Sequence, residues 1–293
     1  MKLKVIVFTL IAVLAASVCF GAEGYKLKMN RKAGTRYTYK AKDDFNLKSA
    51  TAYNRSLLDQ PYELKADSMI YERPLSVDKY GNAKLKSYVD FKKVEINDRN
   101  QPLKTSGDYQ VAIFSPRNEY KSVVQTSIQG VVKDYDGTNK SKYPVFVSYL
   151  DMASAILVLP KDEVQIGEKW YPETLELENN GYIKSEFAIT QVKEDEGEVL
   201  AYIHGQANAV VDVASAVRFF RKVIPADLIS KRYTGTAQIN FSDINVVFSV
   251  TKGIVKKLEL DSAVNMTITD PSNGMTITAY LEADQEKEFV SQS

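Results

Sequence analysis

The chain offers few side chains able to do chemistry: one histidine, His204, and one cysteine, Cys19, among 293 residues. A histidine-based triad needs a nucleophile on a recognisable turn, and no G-x-S-x-G elbow or similar motif accompanies Tyr202-Ile203-His204-Gly205. Zinc sites draw on cysteines and several histidines, so His204 reads as an ordinary strand residue. Asp134-Tyr135-Asp136-Gly137-Thr138-Asn139 gathers oxygen ligands on a turn. A calcium loop of the EF-hand type wants glycine at its sixth position and glutamate at its twelfth. Counted from Asp134, those places hold Asn139 and Val145, and the segment reads as a β-turn. The acidic run Glu194-Asp195-Glu196 before Gly197 reads as a solvated hairpin tip. The carboxylate pair of a glycosidase is set by the fold rather than by spacing, but a sugar cleft wants aromatic platforms and Trp170 is the single tryptophan. No glycine-rich phosphate loop occurs. No catalytic residue, metal ligand or cofactor is assigned.

At the N-terminus, Lys2 and Lys4 precede an apolar run from Val5 to Ala16 and small residues around Ser17 to Ala22. That is the layout of a secretory signal, and the run is shorter than the roughly 20 apolar residues of a membrane span. Residues 1–21 are therefore expected to be a cleavable export signal. Cutting after Gly21 leaves Cys19 at the third position before the cut, whereas cutting after Ala22 would put bulky Phe20 there. Ala16-Ser17-Val18-Cys19 also matches a bacterial lipobox loosely, with Val18 where Gly, Ala or Ser is favoured. Anchoring through a lipidated Cys19 is the competing expectation. Either way the chain is exported, periplasmic or extracellular, and its folded body has no cysteine for a disulfide or a thiolate site.

Of 38 basic side chains, Lys2 and Lys4 leave with the signal, so 36 face 37 acidic ones. That balance argues against nucleic acid, which needs a concentrated basic surface. Eighteen tyrosines and many valines, isoleucines and threonines suit pleated, half-buried surfaces. Apolar and polar residues alternate from Tyr37 to Lys42, Lys84 to Lys93, Glu198 to Val211, Thr236 to Phe241, Val246 to Val250, Ile254 to Leu260 and Met275 to Leu281. Turn signals lie between them at Lys79–Asn82, Asn179–Gly181, Thr251–Gly253 and Asp270–Gly274. Short turns make neighbouring strands antiparallel. The expected fold is mainly β, as antiparallel meander sheets in two half-barrel-like regions with two short helices.

The first helix is expected over Ser148 to Leu159, where Tyr149, Met152, Ala153, Ile156 and Leu157 recur at helical spacing and Pro160 ends the run. It is either a core helix covering a sheet or a plug over an apolar cavity. The second spans about 212–224, with Val213, Ala216, Val217, Phe220 and Ile224 on one face and Arg218, Arg221 and Lys222 on the other. Such a basic face docks on a core with its charges solvated, or touches an anionic membrane. These elements divide the chain into the signal at 1–21, an N-terminal β region at 22–145, the apolar helix and connector at 146–160, and a C-terminal β region at 161–293.

Gly34-Thr35-Arg36-Tyr37 and Gly167-Glu168-Lys169-Trp170 open the two β regions alike, with a turn glycine, a basic residue and an aromatic anchor, which suggests an internal duplication. Leu159-Pro160 followed by Val164-Gln165-Ile166-Gly167-Glu168-Lys169-Trp170 resembles the V-x-x-G-[DE]-x-W segment of an uncharacterised family of bacterial secreted or lipoprotein envelope proteins. The resemblance implies an envelope location and a β fold, and it transfers no functional residue.

The expected function is non-enzymatic: an envelope protein that binds an apolar or amphipathic ligand, such as a lipid, or an envelope partner protein, on a concave β surface. Architectural similarity to envelope lipid and lipoprotein carriers prompts this reading, with Tyr149, Met152, Ile156 and Phe220 as candidate ligand contacts. A structural or adhesive surface module and a carboxylate-dependent hydrolase are the open alternatives. N-terminal sequencing of exported protein is expected to begin at Ala22. A start at acylated Cys19 would support the lipoprotein form, and retention of Met1 would defeat both.

Overall fold

The computed structural model describes residues 24–53, 55–56, 58, 61–103, 109–126, 149–212 and 234–293. Outside them lie the expected signal at 1–21, the Asp134–Asn139 turn, and the expected helix near 212–224 apart from Asp212, with its Phe220 and its Arg218, Arg221 and Lys222. The fold is mainly antiparallel β, as the alternation implies. In the first half run β1 (Tyr37–Ala52), β2 (Arg55–Ser56), β3 (Tyr62–Val77), β4 (Ala83–Ile96), β5 (Arg99–Asn100), β6 (Tyr109–Phe114) and β7 (Tyr120–Thr126). The helix α1 (Tyr149–Ile156) follows, then β8 (Lys169–Trp170), β9 (Leu175–Glu176), β10 (Tyr182–Asp195), β11 (Glu198–Asp212), β12 (Thr234–Ser249), β13 (Ile254–Thr269) and β14 (Thr276–Gln292). Where two helices were expected, the helical structure among the described residues is α1 and a single turn at Glu178–Asn180.

The two expected β regions share one sheet, ordered β7-β6-β4-β3-β1-β14-β13-β12-β11-β10-β8, with β2, β5 and β9 paired beside β1, β4 and β10. The chain leaves the middle of the sheet at β1, meanders to one edge, crosses to the other, and meanders back to β14. Along this order β8 stands six places from β1 and points the same way. The strand series opened by Gly34 and by Gly167 thus run in the same sense, and both glycines hold the left-handed backbone, at φ 81° and 85°, that turns the chain into its strand.

The sheet curls. Helix α1 touches both β10 and β14, four strands apart, which in a flat sheet would be about 19 Å. At one end the curl is close to shut. Met29 donates its backbone N–H to Pro116 O in the β6–β7 turn (2.7 Å), and the next residue, Asn30, donates to Gly253 O in the β12–β13 turn (2.8 Å). Those turns belong to strands five places apart. The segment from Tyr25, which exchanges backbone bonds with Val164, to Asn30 therefore straps across this end of the concave face.

On that face the main core collects Phe45, Leu64, Ile203, Phe241, Phe248 and Leu260 from the sheet, with Leu27 and Met29 from the strap. Met152 and Ile156 of α1 and Leu157 and Leu159 beyond it complete the filling. The helix is shorter than the apolar run because its end is claimed by neighbours. Asn118 donates its side-chain amide to Ser154 O and Leu157 O (2.9 Å each), and Leu159 N–H bonds Arg117 O (2.7 Å). Trp170, 8% exposed, donates its indole N–H to Val158 O (2.9 Å) and lies 5.7 Å from Phe187 between ring centroids. Trp170→Ala is accordingly expected to cost about 3–5 kcal/mol. An unchanged urea midpoint would show that the ring anchors nothing.

Candidate ligand site on the concave face

Strands with one face turned to a core place alternate side chains there. In β1 the inward set is Tyr37, Tyr39, Ala41, Asp43 and Phe45; in β3 it is Leu64, Ala66, Ser68, Ile70 and Glu72; in β14 it is Ala283, Gln285, Lys287 and Phe289. Most of these are apolar. The exceptions gather at the middle of the sheet.

Lys287, 4% exposed, places its ammonium 2.8 Å from Glu72 Oε1, donates to Ser154 Oγ of α1 (3.1 Å), and sits 4.2 Å above the Tyr39 ring. Arg31, partly buried on the strap, donates to Asn118 Oδ1 and stacks 5.3 Å from the Phe114 ring centre. Burial alone would raise the Glu72 carboxyl, but Lys287 and then Arg31 outweigh it and hold it below the ordinary range. Burial lowers the Arg31 guanidinium, opposed by Glu72, and drives the Tyr39 phenol well up, with Glu72 adding to the rise. Among the described residues this island therefore holds two cations to one carboxylate, and the Tyr39 phenol stays neutral. A cavity of about 20 Å³ is lined by Arg31, Lys287, Glu72 and Ser154 together with Met29, Leu157 and Leu258, room for about one water-sized group.

One rung away, Asp43 accepts a 2.6 Å bond from Gln285 Nε2 across the β1–β14 pair. Burial lifts its carboxyl to about 7, and the Gln285 bond only partly opposes this. Gln285 Oε1 and Ser68 Oγ, both buried, have no hydrogen-bond partner among the described residues.

The opposite, outward face carries a second depression of about 470 Å³, crossing five strands. In it Asp44 lies opposite Asp284 and Asp284 opposite Asp261, and Asp243, opposite Asp261 beyond the lining, extends the row to four carboxylates. Desolvation first, then Asp284, Asp243 and Glu259, raise the Asp261 carboxyl. The lining has no aromatic side chain, and no cluster able to hold a metal is found among the described residues. His204 lies on this outward face, exposed, 3.2 Å from Asp243 Oδ1.

Of the four contacts expected from the sequence, Met152 and Ile156 meet in the core, at 0% and 2% exposure. Tyr149 opens α1, and Phe220 lies outside the described residues. Arg31, Glu72, Lys287, Asp43 and Gln285 were not legible as a group. The available signal was a polar residue standing on the apolar parity of an alternating strand.

Fold and site together define an open, curled antiparallel sheet closed at one end by a strap, with a polar island on its apolar face. The chain matches no protein-family model and no curated protein sequence. By shape it is similar to lipovitellin, in a structure described by its lipid–protein interactions, at TM-score 0.42 and 11% identity over 90% of this chain and 26% of that one. An outer membrane channel from Pseudomonas putida F1 gives TM-score 0.25 and 7% identity, over 90% and 98% of the two chains. At these values neither likeness bears on function.

Asp43 sets a pH dependence whose sign follows from its raised carboxyl. Between about pH 4, where an unfolded aspartate ionises, and about 7, the folded chain keeps a proton that the unfolded chain has lost. Stability contributed by this group is therefore fully present below that window and falls as pH rises through it. Asp43→Asn is expected to flatten the decline and to be more stable than wild type by a few kcal/mol at pH 8. Parallel urea curves for the two proteins from pH 4 to 8 would contradict this.

Proposed function

We propose that this chain is a non-enzymatic, extracytoplasmic protein that holds an apolar or amphipathic ligand against the concave face of its sheet. The observation that carries the reading is how that face is covered. Two packed sheets are committed to each other along their whole length. Here an eight-residue helix and extended connecting chain lie on the apolar face. Among the described residues the helix is pinned at its C-terminal end by the Asn118 amide, Lys287 and the Ser185 hydroxyl. A cover held by side-chain bonds rather than by a strand ladder can lift without unpairing a strand. The space it then leaves is lined by aliphatic and aromatic side chains with a few polar groups at fixed places, the usual composition of a ligand pocket.

The signal expected at residues 1–21 supports an envelope location, and the near balance of charge supports a partner other than nucleic acid. An envelope protein offering an apolar segment would use the same face.

Ile156 separates a movable cover from fixed core. Wild-type protein is expected to take up a fluorescent fatty-acid or lipid probe. Ile156→Asn is expected to lose that uptake while keeping most of the β circular dichroism. If α1 is fixed core, the same change unfolds the chain, because a buried amide without partners costs a few kcal/mol. A wild-type protein that binds no apolar probe defeats the proposal.

A further inference from the structure

We infer that the ligand of the concave face carries an acid group, and that Arg31 and Lys287 receive it at the strapped end of the sheet. The inference rests on the function proposed above and names the chemical class of the ligand.

Three observations point the same way. Buried charges are normally paired, yet Glu72 is the one carboxylate set against both Arg31 and Lys287 among the described residues. One positive charge is left over where water is largely excluded. Next, the cavity touching these cations has a mixed lining. Arg31, Lys287, Asn118 and Ser154 offer hydrogen-bonding groups beside the paired Glu72, and Met29, Leu157, Val255 and Leu258 add apolar surface. An acid head followed by a hydrocarbon tail suits both kinds of lining. Finally, the cover and the cation are linked. Lys287 donates to Ser154 Oγ in α1, a neutral hydroxyl that an ionised acid outbids, since charge-assisted hydrogen bonds are shorter and stronger than neutral ones. The incoming acid thus takes the bond that helps hold α1 down, and the tail follows into the space beneath the helix. On the same face, Gln285 Oε1 and Ser68 Oγ are buried without partners among the described residues, which leaves polar capacity near Lys287 for the rest of a head group.

Arg31 is the better handle for a test, because removing it leaves the Glu72–Lys287 pair in place. The full-length mature chain would be titrated at pH 6, where Asp43 stays neutral, with dodecanoic acid and with dodecan-1-ol, each displacing a fluorescent apolar probe, and with sodium acetate as a free small anion. The acid is expected to bind about tenfold more tightly than the alcohol. In Arg31→Gln, checked for an unchanged thermal transition, the ratio of the two affinities is expected to fall towards one. Equal affinities for acid and alcohol in the wild type would overturn the acid-group site while leaving the apolar-ligand reading standing. Displacement by millimolar acetate alone would overturn it in favour of a small-anion site. If neither long-chain compound binds, the underlying function fails and this inference goes with it. The wild-type comparison needs no variant, so a poorly folding Arg31→Gln would not shield the idea.

Discussion

Pairing of the first long strand with the last holds the sheet in one piece. β1 and β14 match from Tyr37 opposite Gln292 to Ala52 opposite Ile277, and among the described residues no other strand pairing joins the two meanders. Partners so far apart in sequence pay nearly the whole loop-closure cost of the chain before any pair forms. The alternation of apolar and polar residues specifies which face of β1 and β14 turns inward, because a slip of one residue would expose every core side chain. A slip of two residues leaves that alternation intact. What it destroys is the buried bond from Gln285 to Asp43 and the placement of Lys287 over the Tyr39 ring. The polar groups on this seam thus discriminate between registers that hydrophobic burial cannot tell apart.

Curvature follows from irregularities spread across the sheet. Register shifts fall at Lys92 in β4, where Lys93 and Phe91 face Asp67 and Ser68, and at Ile189/Gln191 in β10, Gly205/Ala207 in β11 and Phe241/Asp243 in β12. Each bulge bends its strand and adds twist. Gly205 shows how tightly the bent strands approach, since a β-carbon there would come within 2.1 Å of the Phe187 ring. Bending brings the β6–β7 and β12–β13 turns to adjacent residues of the strap, which puts Arg31 on the concave side with Glu72 and Lys287.

Much of this architecture was legible in the sequence because period-two alternation is a local property. The stretches at 37–42, 84–93 and 198–211 lie inside β1, β4 and β11, and the turns at Lys79–Asn82, Thr251–Gly253 and Asp270–Gly274 join strands as expected. β3 and β10 were missed although each is at least 14 residues long. Their inward positions include Ser68 and Glu72 in one and Ser185 in the other, which blur the pattern. Strand order was not legible at all. Nothing near Tyr37 announces that its neighbour is Gln292, and short turns specify only which consecutive strands pair. The island on the concave face was hidden for the same reason. Arg31, Glu72 and Lys287 come from a strap and two strands more than 200 residues apart, and each alone looks like a solvated charge.

Two demands could keep charge inside this sheet, and they make different requirements. Fixing the register of the seam needs only matched polar groups on β1 and β14. Asp43 and Gln285 meet that need, with the carboxyl held neutral by its burial below about pH 7. Glu72 and Lys287 tie β3 to β14 as a compensated pair, whose net stabilisation is small once desolvation is counted. Arg31 serves neither purpose. It lies on the strap rather than on a strand, its hydrogen bonds go to the β6–β7 turn, and among the described residues the charge it adds has no carboxylate of its own. An apolar residue there could pack on Phe114 and Met29 without the cost of a partly desolvated guanidinium. The two hydrogen bonds of Arg31 to the β6–β7 turn could be made by a neutral donor, whereas a ligand that brings a negative charge to the strapped end of the concave face would use the charge itself.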